Sequence, residues 1–201
     1  MASGQGRVSL HATAEFAEVA IEQLHKRHGG VTPEQAAFFS QAASVCLAKR
    51  NGSSPAEFDT VVERQDLQPS TAQHLARWTK PASRTESAWS NSNEATEFGA
   101  CGVVIAAIER EHGLFVCSRA ETKTGADYFV SPVQDLVGLP GMPNVDDVKR
   151  LEVSGCDAGN ASVVRRRVTE KVEQTKRGES GQPAIAAVVG FACQLVHIRH
   201  V

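Results

Sequence analysis

Two short β-prone runs decide how the second half of this chain folds: RLEVSG at residues 150–155 and TGADYFV at residues 124–130. Each carries one carboxylate, Glu152 in the first run and Asp127 in the second. Strands of this composition usually pack one face against a core, where an unpaired carboxylate is costly. The two acids therefore need partners or a shared ligand. The two-residue period of a strand puts Ser154 on the same face as Glu152, so its hydroxyl would lie beside that carboxylate.

The bulk composition is that of an ordinary globular protein. The chain has 201 residues, of which 41% are hydrophobic and 22% charged, enough for one sizeable domain or a domain with a smaller appendage. Its formal net charge of -2 gives no global reason to bind nucleic acid, so any such binding must depend on a local patch.

Cysteine usage and the N-terminus indicate where such a protein works. The five cysteines are odd in number, scattered and free of CxxC pairs, which predicts neither a structural zinc site nor a disulfide framework. The first twenty residues lack the basic and apolar regions of a signal peptide, and no apolar run approaches the length of a membrane span. We therefore expect a cytoplasmic protein without a membrane partner.

Residues 1–80 are predicted to form a small all-helical region. Apolar spacing favours helices over residues 9–30, 32–52, 55–64 and 70–78. The second of these begins with the spacing of a capping box, Thr32 followed by Gln35. A protein partner could dock on these helices. Residues 81–92 are polar and rich in serine, which is typical of a linker.

Residues 93–201 are predicted to form an α/β (α+β) domain with a mixed central sheet and flanking helices. The expected order is a helix over 93–113, strands over 114–120, 126–130 and 148–155, a basic helix over 160–178 and a last, almost wholly apolar strand. The continuous apolar run after residue 182 is typical of a central strand that is covered on both faces.

The two acids have the chemistry of a metal-dependent phosphodiesterase site. Magnesium prefers hard oxygen ligands, such as two carboxylates and a backbone carbonyl. Asp127 and Glu152 lie on neighbouring predicted strands, and the carbonyl of Val153 follows directly. Each acid also has a plainer explanation: Asp127 could shape a turn after Gly125, and Glu152 could be an ion-pair partner of Arg150, Arg167 or Lys171.

The order of helix, GAD strand, LEVSG strand, basic helix and apolar strand resembles the PD-(D/E)xK nucleases, which have the restriction-endonuclease-like fold. The resemblance covers residues 88–201 and implies a nuclease, a hydrolase that binds DNA with Mg²⁺ (or Mn²⁺) as cofactor. It implies Asp127, Glu152 and Glu97 as the metal site, with Glu97 matching the family's helix acid in ATEFGA. A homodimer and a role in bacterial defence are further expectations of the resemblance.

One position departs from the family. Ser154 stands where these nucleases carry the motif lysine. Lys171 and Arg167 lie four residues apart on the basic helix, a spacing that lets both reach one site, and Lys123 is another source of an amine. The predicted catalytic residues are therefore Glu97, Asp127, Glu152, Ser154 and Lys171. If no amine replaces the lysine, the domain is an inactive nuclease-like module that binds protein or nucleic acid.

The basic helix itself has two interpretations. Such a pattern, with Glu170 and Glu173 interspersed, is usually a solvated surface. Alternatively it contacts the phosphates of a nucleic-acid backbone without reading sequence. The predicted nucleic-acid-binding residues are Arg165, Arg166, Arg167 and Lys176.

Overall fold

A computed structural model describes residues 12–121, 123–132, 147–178 and 180–201. The first part contains the strands β1 (Ala14–Phe16), β2 (Val19–Ala20), β3 (Ala56–Glu63) and β4 (Ser70–Trp78), a 3₁₀ turn (Ile21–Lys26) and the helices α1 (Pro33–Asn51) and α2 (Ser83–Ala88). The second part contains α3 (Ser92–His112), β5 (Phe115–Arg119), β6 (Tyr128–Ser131), β7 (Lys149–Cys156), α4 (Ala161–Arg177), β8 (Ala184–Gly190) and β9 (Leu195–His200).

The strands form one mixed sheet, which confirms the predicted α+β class. The order of the nine strands in the described residues is β2-β1-β4-β3-β9-β8-β7-β6-β5. The pairs β3–β9 and β7–β8 are parallel and the others are antiparallel. Helix α4 covers one face of β8 through Val164, Val168 and Val172, whereas α1 and α3 pack in the larger core on the opposite face.

Within residues 12–80, the all-helical prediction is wrong outside α1 and the 3₁₀ turn at Ile21–Lys26, and the first three residues of the predicted helix over 9–30 lie outside the described residues. Residues 55–64 and 70–78, predicted as helices, lie in strands β3 and β4, and the predicted helix over residues 9–30 contains β1 and β2. In β3 the buried Phe58 and Thr60 alternate with the exposed Glu57 and Asp59, which is the two-residue period of a half-buried strand. Of the four predicted helices, only α1 is present as an α-helix in the described residues.

Helix α1 confirms its prediction in detail. Thr32 Oγ1 accepts a hydrogen bond from the N–H of Gln35 at 3.2 Å, and Gln35 Oε1 accepts one from the N–H of Thr32 at 2.9 Å. Both halves of the predicted capping box are thus formed, and two N–H groups at the helix start are satisfied.

The apolar C-terminal run is a hairpin rather than one strand. Strand β8 is buried along its whole length, as predicted for a central strand, but the chain then turns back as the antiparallel strand β9. Gln194, in the turn, has φ +52, a left-handed conformation that reverses the chain. Continuous hydrophobicity concealed the turn, because β9 is also largely buried.

The two predicted regions share one sheet. Strand β3 pairs with β9, so residues before and after the segment 81–92 are hydrogen-bonded to each other, and one core cluster extends from Ala14 to Ile198. The predicted linker contains α2 and the buried Trp89. Among the described residues no helix is long and apolar enough to cross a membrane.

Candidate active site

A cleft opens where β7 runs past the start of β6. The two strands pair only between residues 128–130 and 149–151, so residues 152–156 of β7 continue beyond that ladder. The cleft has a volume of about 600 Å³ and is bounded by parts of α3, β5, β7 and α4. Its lining includes all five residues predicted as catalytic, which are Glu97, Asp127, Glu152, Ser154 and Lys171.

Asp127 is held at the edge of the cleft by its own backbone. Its N–H donates to the carbonyl oxygen of Leu151 and its carbonyl accepts from the N–H of Ala120, both at 2.9 Å. Its Oδ2 accepts a further hydrogen bond from the N–H of Val153, also at 2.9 Å. The Asp127 carboxylate therefore reaches across to the strand that carries Glu152.

The turn before Asp127 is tied to the end of α4. Gly125 has φ +69, and a Cβ there would lie only 2.9 Å from the carbonyl oxygen of Gln174, so the turn needs glycine on both counts. Arg150, which is buried, donates from Nη1 to the carbonyl oxygens of Thr124 at 2.6 Å and Thr175 at 3.0 Å. This arginine therefore links the turn that carries Asp127 to the helix that carries Lys171, instead of pairing with Glu152.

Glu152 and Lys171 form a buried ion pair. Lys171 Nζ lies 2.5 Å from Glu152 Oε1 and also donates to Gln174 Oε1 at 3.0 Å. The side chain of Glu152 is 4% exposed and that of Lys171 is 15% exposed. The amine reaches the acid from α4 because Glu152 points to the face of the sheet that this helix covers.

The surroundings of Glu152 shift its protonation. Burial, followed by the neighbouring Asp127 carboxylate, raises the pKa of Glu152 from 4.5 to about 7, and the hydrogen bond from Lys171 opposes part of that rise. Burial disfavours the charged form of a carboxyl group, and a second carboxylate nearby does the same. Near neutral pH this acid therefore exchanges its proton readily, a property that clusters at functional sites.

Ser154 contacts Arg167, which with Lys171 was predicted to reach the site from α4. Arg167 Nε donates to Ser154 Oγ at 3.0 Å, and Arg167 Nη1 donates to Glu170 at 3.3 Å. Arg167 and Lys171 both line the cleft, as their spacing on the helix predicts. Lys123, the other amine considered, is exposed and does not line it.

The remaining predicted nucleic-acid contacts lie outside the cleft. Arg165, Arg166 and Lys176 are exposed along α4. Arg166 pairs with Glu170 at 3.8 Å and Lys176 with Glu173 at 3.1 Å. These pairs lower the net charge of the helix surface.

Glu97 lies apart from the other two acids. It is exposed on the first turns of α3, where it lines the same cleft. Among the described residues, no group of three or more His, Cys, Asp or Glu side chains is close enough together to hold a metal ion. Of the acids that line the cleft, Asp127 and Glu152 are close enough to affect each other's charge.

Two charged lining residues were missed by sequence reasoning. Arg119, at the end of β5, places its guanidinium 4.7 Å from the ring centroid of Tyr128 and lines the cleft. Asp157 directly follows β7 and is paired with Lys49 Nζ at 2.9 Å and Arg50 Nε at 2.8 Å. Its position after the strand was visible in the sequence, but its two partners on α1 were not, since they are more than a hundred residues away.

Comparison of the chain with protein-family models, with curated proteins and with solved structures found no match.

Proposed function

We propose that the chain is a metal-dependent nuclease, in which Asp127 and Glu152 hold the cation and Lys171 supplies the amine that Ser154 does not. The observation that carries this proposal is the grouping of the three side chains around one cleft, with the Lys171 ammonium 2.5 Å from Glu152. Cleavage of a phosphodiester needs hard oxygen ligands, a nearby proton-transfer group and positive charge for the phosphate, and this cleft offers all three.

The topology around the cleft supports the same proposal. Strands β5, β6 and β7 form an antiparallel meander after α3, and α4 then crosses over to β8, which is parallel to β7. This is the order of elements expected from the resemblance to the PD-(D/E)xK nucleases. The acids also occupy the expected places, one at the start of β6 and one within β7.

The donor set fits a magnesium ion. Mg²⁺ is usually bound through one or two carboxylates, with water and substrate phosphate completing its shell. Asp127 and Glu152 supply the carboxylates. The carbonyl of Val153 points to the side of β7 where Asp127 lies, because its N–H already donates to that carboxylate and both groups of one strand residue face the same neighbour. When bound, the ion would polarise the phosphate and make water more acidic.

The chain's own residues then have separate tasks. Glu152 must release its proton to act as a ligand, and the adjacent Lys171 ammonium compensates the charge that results. Lys171 also remains a proton donor beside the place where a phosphate oxygen would lie. Arg167 on α4 and Arg119 on β5, which both line the cleft, supply positive charge for the phosphate backbone.

One observation favours a second candidate, an inactive domain that binds nucleic acid or protein. Asp127 already accepts the Val153 N–H, and Glu152 is already paired with Lys171. A site whose acids are satisfied internally can persist for stability alone. In that case the exposed arginines of α4 would be the functional surface.

A cleavage assay separates the two candidates. Plasmid, single-stranded DNA and RNA would be incubated with Mg²⁺ or Mn²⁺ and the unaltered protein, Asp127→Ala, Glu152→Ala or Glu173→Ala. Glu173 is an exposed acid of α4 outside the cleft, so its variant is the matched control. We expect cleavage that both cleft variants lose and the control keeps. Cleavage that survives both cleft variants would refute the proposal, and salt-dependent binding without cleavage would support the inactive domain.

A further inference from the structure

A second cleft adjoins the candidate active site. It has a volume of about 510 Å³, within the usual range for small-molecule sites. Its walls include both tryptophans of the chain, Trp78 at the end of β4 and Trp89 after α2. Val45 and Ala95 add apolar surface, and Lys80 lies at its exposed edge.

The two clefts share part of their lining. Asp157 contributes to both. The first turn of α3 also divides between them, with Ser92 on the tryptophan side and Asn93 and Thr96 on the catalytic side. The two clefts are therefore neighbours, on either side of Asp157 and the first turn of α3.

Packing holds the indole rings in place. Trp89 lies against Phe38 with ring centroids 4.4 Å apart and against Phe98 at 6.2 Å. The backbone N–H of Trp78 donates to Ser54 Oγ at 2.9 Å. The two tryptophans are only 8% and 7% exposed, so a ligand would meet a rigid aromatic surface without having to order flexible side chains.

The charged side chains that line the second cleft balance, since Lys49 and Lys80 are matched by Glu86 and Asp157, which suits a ligand part without net charge. The Asp157 carboxylate is shared by Lys49 and by Arg50, which does not line the cleft. Hydrogen bonding from Arg50 lowers the pKa of Asp157 to about 2, so the carboxylate stays charged and keeps both cations in place.

We infer that the second cleft receives an unpaired nucleobase of a single-stranded nucleic acid whose phosphates lie in the catalytic cleft. This inference depends on the proposed function, because the catalytic cleft supplies the backbone site. Nucleobases have flat apolar faces that stack on aromatic side chains regardless of sequence. A base inside a duplex is not free to enter such a pocket, so the substrate class is single-stranded, or duplex with an unpaired base.

The fluorescence of the protein tests this inference directly, because its only two tryptophans both line the cleft. The probes are the thymidine 12-mer dT12 and a 12-mer of abasic deoxyribose phosphates, titrated in EDTA so that no cleavage occurs. We expect dT12 to change the tryptophan emission and to bind about 10-fold more tightly than the abasic strand, as stacking of a base predicts. Equal affinities with unchanged emission would overturn the inference.

A cleft-filling variant avoids the risk of unfolding. Ser90 is exposed and lines the cleft, so Ser90→Phe blocks the space without disturbing a buried tryptophan. It should reduce the affinity for dT12 to that for the abasic strand and leave the abasic affinity unchanged. Ser70→Phe, on the exposed start of β4 away from either cleft, is the control and should bind dT12 like the unaltered protein.

The result is independent of the nuclease assay. Suppose that binding depends on the bases, that Ser90→Phe abolishes this dependence, and that no cleavage occurs under any condition. This result would support the base pocket and refute the proposed nuclease activity. If the unaltered protein cleaves and Ser90→Phe binds dT12 with unchanged affinity, the base pocket is refuted and the proposed nuclease activity is not affected.

Discussion

Replacing Glu152 with glutamine should make the protein more stable at alkaline pH while destroying its proposed activity. Glutamine keeps the size of the side chain and an oxygen that can accept a hydrogen bond from the Lys171 ammonium. In the unaltered protein this ammonium lies 2.5 Å from Glu152 Oε1. It removes the charge that burial and the Asp127 carboxylate disfavour. The perturbation therefore isolates the electrostatic cost of an ionised acid at this position.

The size of the effect follows from the pKa of Glu152. In the folded protein it is raised to about 7, against 4.5 without the fold. Between pH 4.5 and pH 7 the folded state keeps a proton on Glu152 that the unfolded state has lost. The contribution of Glu152 to the unfolding free energy is therefore fully present below pH 4.5, and it is lost as the pH rises through 7. Each pH unit in this window costs about 1.4 kcal/mol, so the loss is about 3 kcal/mol in total. Glu152→Gln cannot titrate and should lack this loss.

Urea denaturation of both proteins at pH 5, 6, 7 and 8 measures the effect. The unfolding free energy of Glu152→Gln minus that of the unaltered protein should increase by about 2–3 kcal/mol from pH 5 to pH 8. Other consequences of the substitution, such as changed packing, are the same at every pH and cancel in this difference. A pH-independent difference would show that Lys171 fully compensates the charge and that Glu152 has an ordinary pKa.

Three further predictions concern the same cleft. Lys171→Met should reduce cleavage about 100-fold or more by removing the amine, whereas Lys26→Met, an exposed lysine outside the cleft, should cleave normally; equal activity of the two variants would contradict the role of Lys171. Calorimetry should find that Mg²⁺ binds about 10-fold more weakly at pH 6 than at pH 8, because Glu152 must lose its proton to bind the ion. An affinity for Mg²⁺ that does not depend on pH would contradict the role of Glu152 as a ligand. Arg150→Met should lower the unfolding free energy measured in urea by about 3 kcal/mol, because it leaves the carbonyl oxygens of Thr124 and Thr175 without a donor. A loss below about 0.5 kcal/mol would mean that water replaces the guanidinium.

The elements around the cleft were predictable because their sequence signals are local. Helix α3 begins at Ser92, one residue before its predicted start, and ends before Gly113, which adopts the left-handed conformation typical of a C-terminal glycine. Strand β7 and helix α4 each carry their own period of hydrophobic residues. The grouping of Asp127, Glu152 and Lys171 follows from these elements once β6 and β7 are neighbours.

The N-terminal strands were not predictable by the same means. In β3 the alternation of Phe58 with Glu57 and Asp59 competes with a helical interpretation over the same short window, and tertiary pairing decides between them. Strand β3 pairs with its neighbour in sequence, β4, and also with β9, more than a hundred residues later, and no local pattern records the second pairing. Asp157 was missed for the same reason, because its cations lie on α1.

The serine that follows the two acids is explained by the helix opposite it. Ser154 faces α4, where its hydroxyl accepts a hydrogen bond from Arg167 at 3.0 Å. A lysine at residue 154 would put its ammonium against that guanidinium, and like charges at such a distance are unfavourable. Helix α4 instead supplies the amine one turn further on, as Lys171, which reaches Glu152 across the same face. In the proposed nuclease, the positive charge beside the acids would therefore come from the helix and not from the strand, and Ser154 leaves the room that Arg167 occupies.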